Sequence, residues 1–267
     1  MATLIVIPAR YASIRYPGKA LAPLRGVTGV SKSLIQRSWD AAQAVRGVDR
    51  VVVATDDDRI RTEAESFGAE VVMTSSSCEN GTERCAEALT ALGGNYDIVV
   101  NLQGDAPLTP PWFVEELVEA LTIHPTAEVA TPVLRCDGRA LNGFLEDRKA
   151  GRVGATTAVF GAEGKALYFS KEVIPYTQGN DWSAKDQSPV FHHVGVYAYR
   201  PSALAAYPLW KSGPLEQLEG LEQLRFLERD KPIQCVEVDA RARQFWELNN
   251  PEDVPRIEAI LDELGIE

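Results

Sequence analysis

The feature that most constrains this chain is an alternation, through its first half, of short β-branched apolar runs with segments of helical period. Apolar runs fall at 4–7, 51–54, 70–73, 98–102 and 129–133, and each is bounded by polar or turn-forming residues. Between them, 33–45, 58–67, 82–92 and 111–123 place apolar residues three and four apart. Such a pattern predicts βαβ units and a mostly parallel sheet. Asp58 and Thr82 are the expected helix N-caps, and Pro111 the expected first-turn proline. The second half is less regular. Strands are expected at 156–160, 166–169, 194–199 and 233–238, a short helix at 203–207, an amphipathic helix at 215–227 and a closing helix at 251–264. Irregular connections are expected at 136–154 and 177–188. With no repeat and no low-complexity linker, 267 residues that are 45% hydrophobic fit one domain, 1–267, with an inserted subregion.

Charge narrows the function classes. Lys plus Arg number 27 against 38 for Asp plus Glu, a formal net charge of −11. A chain so acidic lacks the cationic face that nucleic acid or an anionic membrane requires, so neither is an expected partner. No apolar run approaches the roughly 20 residues of a membrane-spanning helix. No signal-peptide pattern opens the sequence, and a cytoplasmic location is expected. The four cysteines, Cys78, Cys85, Cys136 and Cys235, form no C-x-x-C pair and read as ordinary thiols.

Against that acidity, Arg10, Arg15 and Lys19 fall within ten residues directly after the first strand. Ligands of open α/β sheets bind at the carboxyl ends of strands. Guanidinium forks and an ammonium match phosphate oxygens, and Gly18, Ala12 and Ser13 let backbone N–H groups approach an anion. Neither P-loop nor dinucleotide glycine spacing is present. A second strand end, Asn101-Leu102-Gln103-Gly104-Asp105, delivers a carboxylate suited to Mg²⁺, which takes one or two carboxylates together with phosphate oxygens and water. A turn in which Asp105 bonds local backbone is the plainer alternative.

These residues, taken in order, resemble the CMP-Kdo synthetases, cytidylyltransferases that activate 3-deoxy-manno-octulosonate (Kdo). The segments that carry the resemblance are Ile7 to Lys19, Val53-Ala54-Thr55-Asp56, Asn80-Gly81-Thr82-Glu83-Arg84, Asn101 to Asp105, Ala166 to Ser170, His193 to Tyr197 and Pro214 to Arg225. The resemblance implies a Rossmann-like nucleotidyltransferase fold (nucleotide-diphospho-sugar transferase, GT-A-like), a three-layer α/β architecture with a mixed, mostly parallel sheet. It implies attack of a 2-keto sugar acid on the α-phosphate of CTP, with pyrophosphate released. Arg10, Lys19 and Asp105 are the implied catalytic residues. Ala9, Arg10, Ser13, Arg15, Lys19, Thr55, Asp56, Gly81, Thr82, Arg84 and Gln103 are implied for the nucleotide, and Gln103, His193, Tyr197, Glu216 and Gln217 for the sugar acid. Asp105 and Asn249 would hold Mg²⁺. A homodimer is implied, with approximately 174–210 as the inserted dimerisation subregion, and a place in lipopolysaccharide or capsular polysaccharide synthesis.

Two departures from the family pattern stand out. Asn249 occupies the place of the second metal-binding Asp, and Glu247, two residues earlier on the same face of an extended segment, could supply the missing charge. Thr157 stands where the family carries Lys. These leave open an 8-amino or sialic-type acid as acceptor, or a nucleotide- or sugar-binding homologue impaired in catalysis.

Overall fold

The computed structural model describes the chain apart from residues 14, 153–154, 178–181, 185 and 244–245. Two compact units emerge: unit 1 comprises Met1–Glu115, Tyr199–Pro208 and Ala240–Glu267, and unit 2 comprises Glu116–Ala198 and Leu209–Asp239. The elements, in chain order, are β1 (Thr3–Ala9), β2 (Pro23–Arg25), β3 (Ser31–Ser33), α1 (Leu34–Gln43), β4 (Arg50–Thr55), α2 (Asp58–Ser66), β5 (Glu70–Met73), α3 (Gly81–Leu92), β6 (Ile98–Leu102), α4 (Pro111–Ile123), β7 (Val129–Asp137), α5 (Gly138–Lys149), β8 (Thr157–Phe160), β9 (Ala166–Ser170), β10 (Gln187–His193), β11 (Val196–Tyr199), α6 (Pro201–Ala206), α7 (Pro214–Glu219), α8 (Leu224–Leu227), β12 (Ile233–Glu237) and α9 (Val254–Glu263). This is the mixed α/β fold that the sequence predicts.

In unit 1 the strand order is β5-β4-β1-β6, every pairing parallel. Strands covered on both faces read as continuous apolar runs rather than alternating ones, and Leu4, Ile5, Val6, Ile7, Val52, Val53, Val99 and Val100 are all fully buried. Because the strands are parallel, the carboxyl ends of β1, β4 and β6 emerge on one edge, carrying Arg10, Asp56 and Gln103. A second core cluster joins Leu24, Leu34, Leu108 and Leu248 to Ile257, Ile260 and Leu261 of α9. It ties the chain's last helix to the hairpin that follows the cationic loop.

Unit 2 is mixed. Strand β7 pairs in parallel with β12 through Val129↔Ile233 to Val133↔Glu237, and antiparallel with β10, which continues antiparallel to β8 and so to β9. Arg135 of β7 forks onto both carboxylate oxygens of Glu237 on β12, at 2.9 and 3.0 Å.

The structure corrects several expectations. Helices α2 and α3 are capped by Asp57 and Asn80, whose side chains accept from Arg59 N and Glu83 N, rather than by Asp58 and Thr82. Residues 138–149 of the expected irregular connection form α5, capped by Asp137. Gly138, Asn142 and Gly143 are poor helix formers and mask the period, but Leu141, Phe144 and Leu145 pack on Cys136 and Val190. Residues 187–188 of the expected 177–188 loop belong to β10, and 178–181 and 185 lie outside the described residues. The expected 215–227 helix is two short helices broken at Gly220, whose left-handed backbone (φ 62°) suits glycine. Leu218, an apolar residue of that expected amphipathic helix, is 84% exposed.

Candidate active site

The cationic loop leaves β1 and is folded on itself by Ser13 N and Gly18 N, which both donate to Tyr11 O. Gly18 has φ +71°, and a Cβ there would meet the Tyr11 ring at 3.0 Å, so the turn requires glycine. The Arg59 guanidinium lies 3.3 Å from the centroid of the same ring. Lys19 opens a 3₁₀ turn, Lys19–Leu21, and its ammonium donates to Asp105 Oδ2 at 2.5 Å and to Leu248 O at 3.2 Å. Asp105 therefore bonds a side chain of the phosphate-type loop, not merely the local turn. Its own carbonyl accepts from Leu248 N at 2.9 Å, which anchors the 246–250 segment beside it.

That segment brings in the remaining groups. Arg15 Nη2 donates to Asn249 Oδ1 at 2.8 Å, and the Asn249 and Asn250 N–H groups both donate to Asp253 Oδ2. No strand forms here, so the face shared by Glu247 and Asn249 is set by these anchors and not by a pleat. Burial, followed by the nearby Asp105 carboxylate, pushes the Glu247 carboxyl up to about 7, while Asn249, Lys19 and Arg15 pull it down. Two neighbouring carboxylates and an amide oxygen form a hard-oxygen donor set that suits Mg²⁺. Among the described residues there is no group of three or more His, Cys, Asp and Glu arranged for a metal, so the fit rests on Asp105, Glu247 and the Asn249 carbonyl.

The other strand ends of unit 1 are equally anchored. Asp56 faces Arg84 at 3.4 Å, and the buried Arg84 also donates to Thr74 Oγ1. Thr55 is buried at the end of β4, and Ala9 at the end of β1. At the start of α3, Gly81 follows the Asn80 cap, and Thr82 shares a hydrogen bond with the Tyr199 hydroxyl at 2.9 Å. A Cβ on Gly81 would lie 3.1 Å from Gln103 Nε2, which puts Gln103 against the helix N-terminus. Thus Ala9, Arg10, Ser13, Arg15, Lys19, Thr55, Asp56, Gly81, Thr82, Arg84, Gln103, Asp105 and Asn249 all lie in unit 1.

His193, Tyr197, Glu216 and Gln217 lie in unit 2. His193 is buried, shares a 2.9 Å hydrogen bond with Thr131 Oγ1, and packs edge-on to Phe169. Burial, and secondarily His192, push its pKa down to about 3, so its imidazole is neutral. Tyr197 donates to Gln223 Oε1 at 3.1 Å. Glu216 is buried, and both its oxygens receive Arg225, from Nε and Nη2, at 2.7 Å. Residues nine apart on an unbroken helix face opposite sides roughly 13 Å along the axis, so the break at Gly220 is what allows this pair. No spacing rule would have shown it. Gln217, on the exposed side of α7, donates to Ser212 O. Thr157, at the expected Lys position, spends its hydroxyl internally, donating to Glu172 O and accepting from Ile174 N.

The comparisons with known proteins agree with this geometry. The cytidylyltransferase family profile matches residues 4–233. The 3-deoxy-manno-octulosonate cytidylyltransferase of Maricaulis maris is 43% identical over 98% of this chain and 97% of its own length. The 8-amino-3,8-dideoxy-manno-octulosonate cytidylyltransferase of Shewanella amazonensis is 40% identical over 97% and 98%. Among solved structures, a CMP:2-keto-3-deoxy-manno-octonic acid synthetase complexed with CTP superposes with a TM-score of 0.83 at 32% identity, covering 99% of this chain and all of that one. A cation-rich loop tethered to a strand-end carboxylate, on a fold shared along nearly its whole length with such enzymes, places this chain in the cytidylyltransferase family of nucleotidyltransferases.

Proposed function

We propose that the protein transfers CMP from CTP to Kdo or a close 2-keto-3-deoxy sugar acid and releases pyrophosphate. The observation that carries the reading is the Lys19–Asp105 contact, which couples a triphosphate-type loop to an acidic, Mg²⁺-suited corner. Arg10, Arg15 and Lys19 neutralise the phosphates and the departing pyrophosphate. Asp105, with Glu247 and the Asn249 carbonyl, would hold Mg²⁺, which would supply charge stabilisation at the α-phosphate. Ala9, Ser13, Thr55, Asp56, Gly81, Thr82 and Arg84 receive the base and ribose. Gln103, His193, Tyr197 and Gln217 receive the sugar acid, with His193 acting as a neutral hydrogen-bonding group, while Glu216 serves that pocket as the brace that holds Arg225. Phosphoryl chemistry asks mainly for position and charge, so no Cys or His nucleophile is required.

The Shewanella relative's name supports the 8-amino acid as a second acceptor. The reading extends to a cytoplasmic activation step for lipopolysaccharide or capsular polysaccharide. It also extends to a homodimer contacting through 174–210, where Tyr176 and Leu209 are 86% and 81% exposed. No helix of the described residues is long and apolar enough to cross a membrane. The test is pyrophosphate release from CTP and Mg²⁺ with Kdo, its 8-amino analogue and a sialic acid supplied separately. Release with an octulosonate is expected; silence with all three, beside measurable CTP binding, would reject the reading. A monomer by light scattering at micromolar concentration would reject the dimer.

A further inference from the structure

Asn101, the fourth residue of β6, is fully buried, and neither its Nδ2 nor its Oδ1 has a hydrogen-bond partner. Buried carboxamides are nearly always paired, and one that has no partner can be replaced by an apolar group of the same shape at little cost or with a gain in stability. Its surroundings give the exception a direction. Asn101 and Gln103 are two residues apart, so they project to the same face, and that face meets the first residue of α3. The point where a Cβ of Gly81 would stand is 3.2 Å from Asn101 Nδ2, 3.1 Å from Gln103 Nε2 and 3.3 Å from Gln103 Oε1. Gly81 has no positive φ, so what the glycine provides here is room and not backbone freedom: a Cβ would press both carboxamides. Both carboxamides pack against the point where its missing side chain would begin. The first turn of α3 is itself fixed, by the Asn80 cap and by the Thr82–Tyr199 hydrogen bond.

We infer that Asn101 is a positioning residue for Gln103, its carboxamide held in reserve beside that of Gln103 and hydrogen-bonded to it once the sugar acid engages Gln103. Asn101 is shielded from solvent and does not touch substrate. It acts by setting which end of the Gln103 amide faces the ligand, Gln103 Nε2 donating to Asn101 Oδ1 and Oε1 being left for a sugar hydroxyl. Gly81 leaves room for both amides. The inference rests on the sugar-acid role proposed for Gln103.

The decisive variant is Asn101→Leu, which keeps the shape and removes the polar atoms. The expected result is a melting temperature at or above that of the native protein, with KM for the sugar acid raised about tenfold, KM for CTP little changed and kcat lowered less than about threefold. Combined with Gln103→Ala, Asn101→Leu should add almost nothing to the loss that Gln103→Ala causes alone. An unchanged KM for the sugar acid, or effects that simply add, would overturn the inference. Asn101→Ala, put through the same cycle, decides the matter if the leucine does not fold. A native enzyme that releases no pyrophosphate with any octulosonate defeats the substrate reading itself. A native enzyme that turns over beside an Asn101→Leu variant of unchanged KM defeats only the role of Asn101.

Discussion

The two units handle carboxylates in different ways. In unit 2, Glu216 is closed off, its two oxygens forked by one guanidinium at equal distances within the fold. In unit 1, shielding from water, and secondarily the neighbouring Asp105 carboxylate, drive the Glu247 carboxyl up to about 7 despite Lys19 and Arg15 nearby. A closed pair is a structural brace, whereas a corner in which Asp105 and Glu247 share Lys19 and Arg15 keeps one carboxyl with a raised pKa. Number, burial and partner geometry all distinguish the two: Glu216 is a single buried carboxylate under one guanidinium fork, whereas Asp105 and Glu247 are two partly buried carboxylates that share Lys19 and Arg15.

The comparison is most severely tested by breaking the brace. Arg225→Leu removes the bidentate partner of a buried carboxylate and should cost about 3–5 kcal/mol, read as a loss in urea stability, because removing one member of a buried ion pair is strongly destabilising. A change within a few tenths would mean that Glu216 finds water or another partner. Next, Asp105→Ala should lower kcat by about 100- to 1,000-fold with only modest loss of CTP affinity, since a group acting on developing charge matters most in the transition state. An unchanged rate would remove Asp105 from the chemistry.

The two units should also respond to pH with opposite signs. Without metal, Glu247 holds a proton in the folded state between about pH 4.5 and 7 that the unfolded chain has released, so its contribution is complete below that window and lost as pH rises through it. His193 refuses a proton that the unfolded chain takes below about pH 6.5, so its contribution is lost as pH falls toward about 3. Glu247→Gln should flatten the upper limb of a stability–pH curve measured in EDTA, and His193→Asn the lower. Matching curves for variants and native protein would show that neither group carries the dependence. The smallest effect belongs to the thiols. Burial, and for Cys78 a bond to Glu87 as well, pushes Cys78, Cys136 and Cys235 up to about 12, so thiolate is scarce at neutral pH. Cys78→Ser should change turnover less than about twofold, and reaction with iodoacetamide should be slow, as expected for inert thiols.

Much of unit 1 was legible in the sequence because parallel, doubly covered strands leave continuous apolar runs, and the observed strands overlap every expected one. The N-caps shifted by one and two residues because Asp57 and Asn80, just outside the apolar period, have the extended backbone a cap needs; Asn80 with Glu83 three residues on was a readable signal. Unit 2 was less legible. Its α5 was hidden by two glycines and an asparagine, and the 215–227 period concealed a break that only glycine at Gly220 betrays.

The sequence by itself determined the α/β class, the cationic loop after the first strand and the carboxylate after β6, because local periodicity and residue chemistry suffice for those. Only the tertiary structure decided that Lys19 bonds Asp105, that Glu216 is held by Arg225, that the Thr157 hydroxyl is taken up by Glu172 and Ile174 and that Asn101 is buried without a partner. Each of those depends on which distant segments meet, and hydrogen-bond satisfaction and charge balance are properties of that meeting, not of any stretch of chain read alone.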